Sequence, residues 1–503
     1  MSDPAIHFGL ETEIGITRDS ADDLDVVAES VALVRSATAP GVALRWDYAC
    51  EDPHLDMRGF RVSELRQDAD EADYYSQDTR RTLSYQELKS DLALGNGARF
   101  YNDHAHPEYC TPECSTLEEL VAHDRAGERL LMSCAQHLSA EQGAAVRLYK
   151  NNTDLRGHSY GCHENYLLPR ALAWDHLVAG VQAFLVTRQV FAGAGKFAIE
   201  AEDERISPAF QISQRSDFFS ELQSVDTMQR RPIINTRDEP HANPRRWRRF
   251  HVILGDANLC PFATWLKVGA TALVLEAIVR QPTRPWPRLS DPLGALRGIS
   301  RDPAFRWEIK RKRGGPTTAL ALQREYIQAV RAECDLAAPG RLAVVEAWEE
   351  VIDDLEADYS RCRDRVDWVA KLALLREFQK RQGLADDDPW LQSLDLEYHR
   401  LDLAQGLYYG LEQTGAMRGV PPEAAVRQAL TEPPPTTRAA VRGYCIQKFP
   451  QAVLSAQWDH VTFQGRGGPI KVNLMDLFDP AHIRRLCLAI QAAKSPEDLR
   501  SLA

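Results

Sequence analysis

The chain has 503 residues, 72 acids against 60 bases, a formal net charge of -12 and a pI near 5.7. A charged fraction of 26% without low-complexity tracts excludes global disorder, and the acidic balance argues against a non-specific nucleic-acid binder. No apolar run approaches the ~18 residues that span a bilayer, and MSDPAIHFG lacks the basic and apolar parts of a signal peptide, so the expectation is a cytoplasmic protein with neither membrane nor nucleic-acid partner.

Residues 6–17 alternate and predict a strand. ADDLDVVAESVALVRSA then predicts a helix with acids in its first turn, which suits the helix dipole. From about 45 to 94 the chain is polar, acidic and weakly periodic, which reads as a loop insertion. GARFYND predicts the next strand. Ser115 followed by Glu118 is a capping box that predicts a helix over about 116–137. AAVRLYKNN, PIINTRD and RFHVILGDAN predict further strands. Pro261 opens a mostly buried helix over FATWLKVGATALVLEAIV. Residues 317–411 are helical in pattern, and the run EPPPTT at 432–437 marks a boundary. Early strands and late helices argue an α+β fold. The expected organisation is a large domain over 1–431, carrying the insertion, and a small C-terminal domain over 438–503. The ten cysteines show no C-x-x-C spacing and read as reduced, buried thiols.

Two strands carry the chemistry. Residues i and i+2 of a strand share a face, so Glu11 and Glu13 project together, as do Arg99, Tyr101 and Asp103. Paired carboxylates repel unless a cation joins them. Magnesium is the hard cation that takes carboxylate and phosphate oxygens, and Arg99 adds a fork suited to phosphate. Asp103 is then a third acid, available as base or nucleophile. E-x-E on a solvated sheet face is the plain alternative. The nearby His104, His106, Glu108 and Glu113 strengthen the functional reading. No Walker A motif and no strand-led G-x-G-x-x-G is present, so a nucleotide would be held by carboxylate-bound Mg²⁺ and Arg. The run PRRWRRFH is either a solvated face or a site for an acidic partner.

GLETEIGIT, NGARFYNDHAHPEYCTPEC, LYKNNTD, YGCHENYL, FQISQRSDF, INTRDEPHA, RFHVILGDANL and, near the end, SAQWDHVTF resemble the PafA/Dop family of Pup ligases and depupylases, within the glutamine-synthetase-like carboxylate-amine ligases. The resemblance implies a curved, largely antiparallel sheet backed by helices, with a small C-terminal domain. It implies Asp103 as the catalytic aspartate. It implies Glu11, Tyr101 and Glu108, with Glu13 beside them, as the magnesium site, and His251 as a further residue near metal or phosphate. It implies Arg99, Thr111 and Trp458 as ATP contacts and Arg237 as a candidate phosphate contact. The implied cofactors are ATP, or ADP with phosphate, and Mg²⁺. The implied partners are the small acidic protein Pup and pupylated proteins, with the enzyme a monomer.

Three features resemble the depupylase branch: DHAHPEY follows the aspartate directly, WDYACEDPHLDMRGF looks like the start of that branch's insertion, and the insertion falls between the first two sheet strands. Its later part, FRVSELRQDADEADYYSQDTRRTLSYQ, departs from the family's pattern. The implied activity is hydrolysis of the isopeptide bond between Pup's C-terminal glutamate and a substrate lysine, and deamidation of a C-terminal glutamine of Pup. A Pup–protein ligase and a non-catalytic Pup-binding paralogue are the alternatives. An acidic partner for an acidic enzyme demands a locally positive groove. With 49 Arg and 11 Lys, Arg would supply it.

Overall fold

The computed structural model of the chain describes residues 6–19, 24–37, 46–48, 51–65, 87, 89–198, 210–386 and 388–502. Its strands in chain order are β1 (Phe8–Glu13), β2 (Gly15–Arg18), β3 (Leu92–Ala93), β4 (Arg99–Asp103), β5 (His106–Cys110), β6 (Val146–Tyr149), β7 (Cys162–Pro169), β8 (Lys196–Phe197), β9 (Phe210–Gln211), β10 (Phe219–Ser224), β11 (Arg231–Asn235), β12 (Trp247–Val252), β13 (Glu308–Lys310), β14 (Pro316–Thr318), β15 (Val453–Gln457), β16 (His460–Phe463) and β17 (Ile470–Asn473). The principal sheet is six-stranded, in the order β12-β7-β1-β5-β4-β3, and every pair in it is antiparallel. The parallel pair β10–β11 stands apart from it. The fold is α+β, as expected.

Period-two alternation assigns the two faces of this sheet. On β1, Phe8, Leu10 and Thr12 are buried while Glu11 and Glu13 turn to the other side. On β7, Cys162, Glu164, Tyr166 and Leu168 are buried, and His163 and Asn165 face with Glu11. Helices cover the apolar face. One of them, Pro261–Arg280, runs through the main core among Leu177, Phe184, Ile327 and Trp348. This helix corrects the expectation about apolar runs, because it is long and apolar enough to cross a membrane by length and composition. Its burial explains that hydropathy: a helix at the centre of a large core is mostly hydrophobic around its circumference.

The capping box is real but one residue later than predicted. Thr116, not Ser115, is the N-cap of Leu117–Gln142, and Glu119 is its reciprocal partner. Ser115 Oγ donates to the same Glu119 carboxylate that accepts from the Thr116 backbone N–H, so both residues converge on one acid. The helix packs so closely on β5 that a Cβ at Gly127 would stand 2.4 Å from the Tyr109 ring. Tyr109 is buried and accepts from Asn96 Nδ2 at 3.1 Å, so it has no room to retreat. Gly127→Ala is therefore expected to lower the melting temperature. Overpacking of about 1–3 kcal/mol exceeds the ~1 kcal/mol that alanine gains over glycine in a helix. Thermal unfolding followed by circular dichroism checks this, and an unchanged or raised midpoint would refute the packing argument.

The insertion returns to the sheet earlier than expected, since 92–93 already form β3. Its part over 66–86 lies outside the described residues. The described beginning is docked at both ends. Trp46 bridges to Ala456 of β15, and His460 Nε2 lies 3.1 Å from an Asp47 oxygen. Met57 N–H donates to Thr236 O at 2.8 Å and Asp238 N–H to Leu55 O at 2.8 Å. Nine free cysteines are described, eight of them buried. Beyond the proline run, helices Arg438–Lys448 and Pro480–Ala492 pack on the sheet β15-β16-β17 around a core of their own that includes Val441, Val461 and Ile483.

Candidate active site

Register in the principal sheet assembles the site. Opposed residues share a face: Glu13 pairs with Glu108 and Glu108 with Tyr101; Glu11 pairs with His163 and with Cys110, which also faces Arg99. Asp103 pairs with His106 across the β4–β5 hairpin. Only His104 and Ala105 separate them, and His104 takes a positive φ of 55°. Such short hairpins need positive φ in the turn. The compact spacing of DHAHPEY thus fixes Asp103 at the rim of a rigid hairpin.

Two constellations line this face. Glu11 Oε1 accepts from Asn165 Nδ2 at 2.9 Å and from Arg249 Nη1 at 3.4 Å. Its Oε2 lies 3.4 Å from His163 Nδ1 and 3.5 Å from His251 Nε2. Alongside, Glu13, Asp103 and Glu108 bring carboxylate oxygens within 4.8 Å of one another. Tyr101 donates to Glu108 at 2.8 Å. Burial, and then the like charges of Asp103, Glu11 and Glu13, push the Glu108 carboxyl well above the usual carboxylate range. A cation shared by these acids would remove that penalty. The all-oxygen set suits Mg²⁺, and the Glu11–His163–His251 set offers mixed nitrogen and oxygen donors. His251 is 4% exposed, and among the described residues neither ring nitrogen makes a well-aligned hydrogen bond, its nearest acid being Glu11 at 3.5 Å. Burial and then Arg249 lower it to about 3, leaving the neutral ring that ligates metals. The residues therefore fit a divalent cation.

This arrangement gives a prediction with two signs. In EDTA, Glu108→Gln is expected to raise the melting temperature, because it removes one of several crowded negative charges. The increase in melting temperature that Mg²⁺ produces should shrink, with the midpoint of the Mg²⁺ titration moving up about tenfold or more. Differential scanning calorimetry with and without Mg²⁺ measures both. A Mg²⁺ midpoint equal to that of the wild type would remove Glu108 from the cation site.

Asp103 is held ionised. Burial opposes this, but the ammonium of Lys89 and then His104 outweigh it, keeping the carboxyl well below the usual range. Lys89 forms an ion pair with Asp103, and His104 Nδ1 lies 3.3 Å away. Arg99 is held from two sides through Nε and Nη2. It donates to Asp91 at 2.9 and 2.6 Å and to Tyr48 at 2.7 Å. Its guanidinium lies 3.8 Å from the Tyr101 ring centre and 4.3 Å from that of Trp46. The insertion's two ends thus grip Arg99, Trp46 and Tyr48 from one and Asp91 from the other. Arg237 is half-buried, donating to the Val225 carbonyl at 2.8 Å and the Thr227 hydroxyl at 3.0 Å, and it lies within electrostatic reach of Glu239 and Asp103.

Two cavities flank the row of acids. One is lined by Glu11, Thr111, His241, Arg249, Arg438 and Trp458. Thr111 there accepts from the Leu10 amide at 3.0 Å. Trp458 meets the edge of Trp46 at 5.0 Å and lies under the Arg442 guanidinium at 4.9 Å. The other, of about 760 Å³, is lined by Glu13, Lys89, Asp103, His106, Tyr160 and Arg215. The structure thus groups Glu11, Glu13, Tyr101, Asp103, Glu108 and His251 on one sheet face. Arg99 lies beside them, Arg237 is within electrostatic reach, and Thr111 and Trp458 sit in the neighbouring cavity. Sequence reasoning read His163 and Asn165 only as members of a polar run that fits a sheet-lined site, Arg249 only within PRRWRRFH, and did not single out Lys89. Alternation in CHENYLLP was the available signal for the first two. Nothing local marks Lys89, which arrives through the insertion. Glu164, in the same polar run, is instead on the core face, paired with Arg188.

The comparisons with known proteins agree with this fold. A family model described as "Pup-ligase protein" matches residues 7–462. A protein named depupylase from Acidothermus cellulolyticus is 40% identical over 474 residues, covering 91% of this chain and 90% of that one. A Pup deamidase/depupylase from Mycobacterium tuberculosis is 39% identical, with 97% of each chain covered. A Pup–protein ligase from Acidimicrobium ferrooxidans is 40% identical but covers 76% of this chain and 85% of its own. Among solved structures, the complex of Pup with its ligase PafA aligns over 99% of this chain and 95% of that one, with a TM-score of 0.78 and 29% identity. PafA with ADP aligns over 87% and 96%, with a TM-score of 0.73 and 32% identity. The antiparallel sheet with its row of acids, and these likenesses over most of the chain, show that the protein belongs to the Pup-ligase family.

Proposed function

We propose that the protein is a nucleotide- and Mg²⁺-dependent depupylase. It hydrolyses the isopeptide bond between the C-terminal glutamate of Pup and a substrate lysine, and deamidates a C-terminal glutamine of Pup. The observation that carries this reading over ligation is the docked insertion, which grips Arg99 through Trp46, Tyr48 and Asp91 and reaches Asp103 through Lys89. Near full-length likeness to depupylases, against about three quarters of the chain for ligases, supports it.

In this reading the cavity at Trp458 and Thr111 takes the nucleotide. Arg249, Arg237 and Arg99 are its phosphate-side charges. Glu11, Glu13, Glu108 and Tyr101, with His251, are the residues that would hold Mg²⁺. A bound cation supplies a positive charge that neutralises the carboxylates and polarises oxygens near them. The end of Pup and the leaving amine enter the larger cavity. Asp103 is the reacting group. Its ionised oxygen either attacks the carbonyl carbon, so that the C–N bond breaks, the amine leaves with a proton from water and water then cleaves the anhydride, or takes the proton of an attacking water and passes it to the leaving amine. An electrophilic Pup C-terminus separates the two, since an adduct at Asp103 marks attack. The nearby guanidiniums stabilise the developing negative charge. The enzyme works in the cytoplasm as a monomer on pupylated proteins.

The test offers the protein a Pup conjugate with ATP and Mg²⁺, and in parallel free glutamate-ended Pup with a lysine-bearing protein. Release of Pup and intact protein supports the depupylase. Net formation of conjugate in the second arm, without cleavage in the first, would replace it by the ligase. Binding of Pup with neither reaction would leave the non-catalytic paralogue.

A further inference from the structure

Lys89 is built into its position. It sits where the insertion returns to the sheet, in a helical turn that ends at Ser90, whose φ is positive at 47°. Arg35 of the helix Val26–Arg35 holds this turn, donating to the Glu87 carbonyl at 2.9 Å and to Ser90 Oγ at 3.1 Å. Ser90 Oγ donates in turn to the Glu87 carbonyl at 2.7 Å. Asp91 is tied to Arg99. A non-glycine residue in the left-handed region costs free energy and persists only where its surroundings impose it. The turn aims the Lys89 ammonium at Asp103, across the Tyr101 ring at 5.4 Å from its centre. Only 12% of the Lys89 side chain is exposed.

The chemistry of this side chain is that of the leaving group. Isopeptide hydrolysis releases a lysine ε-amine on its four-carbon stem beside the reacting carboxylate. Lys89 presents the same amine on the same stem to the same carboxylate, from within the cavity that holds Asp103, His106 and Tyr160. We propose that Lys89 occupies the subsite of the leaving lysine, so that it competes with the substrate's own lysine for Asp103 and must swing away before an isopeptide can bind productively. It is a specificity-determining residue that resembles the released product, and it does not take part in the reaction itself. This proposal rests on the depupylase reading. Competition lowers apparent affinity by the fraction of time the subsite is free.

Lys89→Ala removes the competitor and opens room for a lysine stem. The expected result is a KM for a Pup–lysine isopeptide conjugate lowered at least about threefold. The variant should also become sensitive to inhibition by millimolar Nα-acetyl-lysine amide, which leaves the wild type unaffected. Lys89→Met, which keeps the stem over Tyr101 but lacks the ammonium, should lower KM in the same direction and keeps the test available if the alanine variant folds poorly. A KM that holds or rises in the folded variants overturns the proposal. So does an alanine variant that Nα-acetyl-lysine amide fails to inhibit. If the wild type itself does not cleave the conjugate, it is the depupylase reading that fails. Wild-type cleavage with unaltered variants fails the Lys89 assignment alone.

Discussion

Asp103→Asn is expected to reduce isopeptide cleavage by about 10³-fold or more, the scale on which enzymes lose activity when a reacting side chain is removed. The amide has the shape of the carboxylate but can neither attack a carbonyl carbon nor take a proton from water. The fold should survive, because Asp103 stands at a hairpin rim and its like-charged neighbours Glu13 and Glu108 lose a source of repulsion. Release of Pup from a conjugate, followed by gel and mass spectrometry, measures the loss, and thermal unfolding checks the fold. Retention of more than about a tenth of the wild-type rate in a folded variant would remove Asp103 from the reaction.

Glu113→Ala is expected to destabilise the protein by about 3–5 kcal/mol, the cost of breaking a buried pair from one side. Glu113 accepts from Arg438 Nε at 2.7 Å and from Arg442 Nη1 at 3.1 Å. Arg442 is 1% exposed and also binds the Gly97 carbonyl at 2.6 Å and the Trp458 carbonyl at 3.0 Å. One carboxylate therefore ties the segment after β5 to the helix Arg438–Lys448 and, through it, to the Trp458 side of the smaller cavity. Loss of Glu113 leaves two guanidiniums with an uncompensated charge. The same pair makes a pH prediction. Burial alone would raise the Glu113 carboxyl, but Arg442 and then Arg438 lower it from 4.5 to about 2. A depressed carboxyl contributes stability that is present above the unfolded value and lost as pH falls through the folded one. A shift of this size contributes about 3 kcal/mol, which should disappear between about pH 4.5 and pH 2. Denaturant unfolding across that window should show a steeper acid loss in the wild type than in Glu113→Gln. Parallel curves for the two proteins would refute the assignment.

Much of this site could be read along the chain because strands repeat every second residue. Glu11 with Glu13, and Arg99 with Tyr101 and Asp103, needed only that rule, and the sheet bears it out. Glu108 was visible only as one of the acids and histidines that follow Asp103 and through the family resemblance, and the hairpin register is what sets it opposite Glu13 and Tyr101. The capping box slipped by one residue because Ser115 and Thr116 both satisfy the pattern, and only backbone geometry chooses between them. The apolar helix Pro261–Arg280 was underestimated because a mostly apolar stretch with interspersed polar residues reads the same in a large core as in a membrane.

Fold class and the face shared by the acids were legible in the chain, since each follows from local alternation or from contiguous motifs, and the same motifs are what single out Asp103 as the candidate reacting group. Tertiary structure alone decided what surrounds them. Strand order brought His163, Asn165, Arg249 and His251 around Glu11 from strands far apart in the chain. The insertion's docking gave Arg99 its aromatic and acidic partners and Asp103 its lysine. Such pairings depend on side chains converging across long sequence separations, and no local period encodes that convergence.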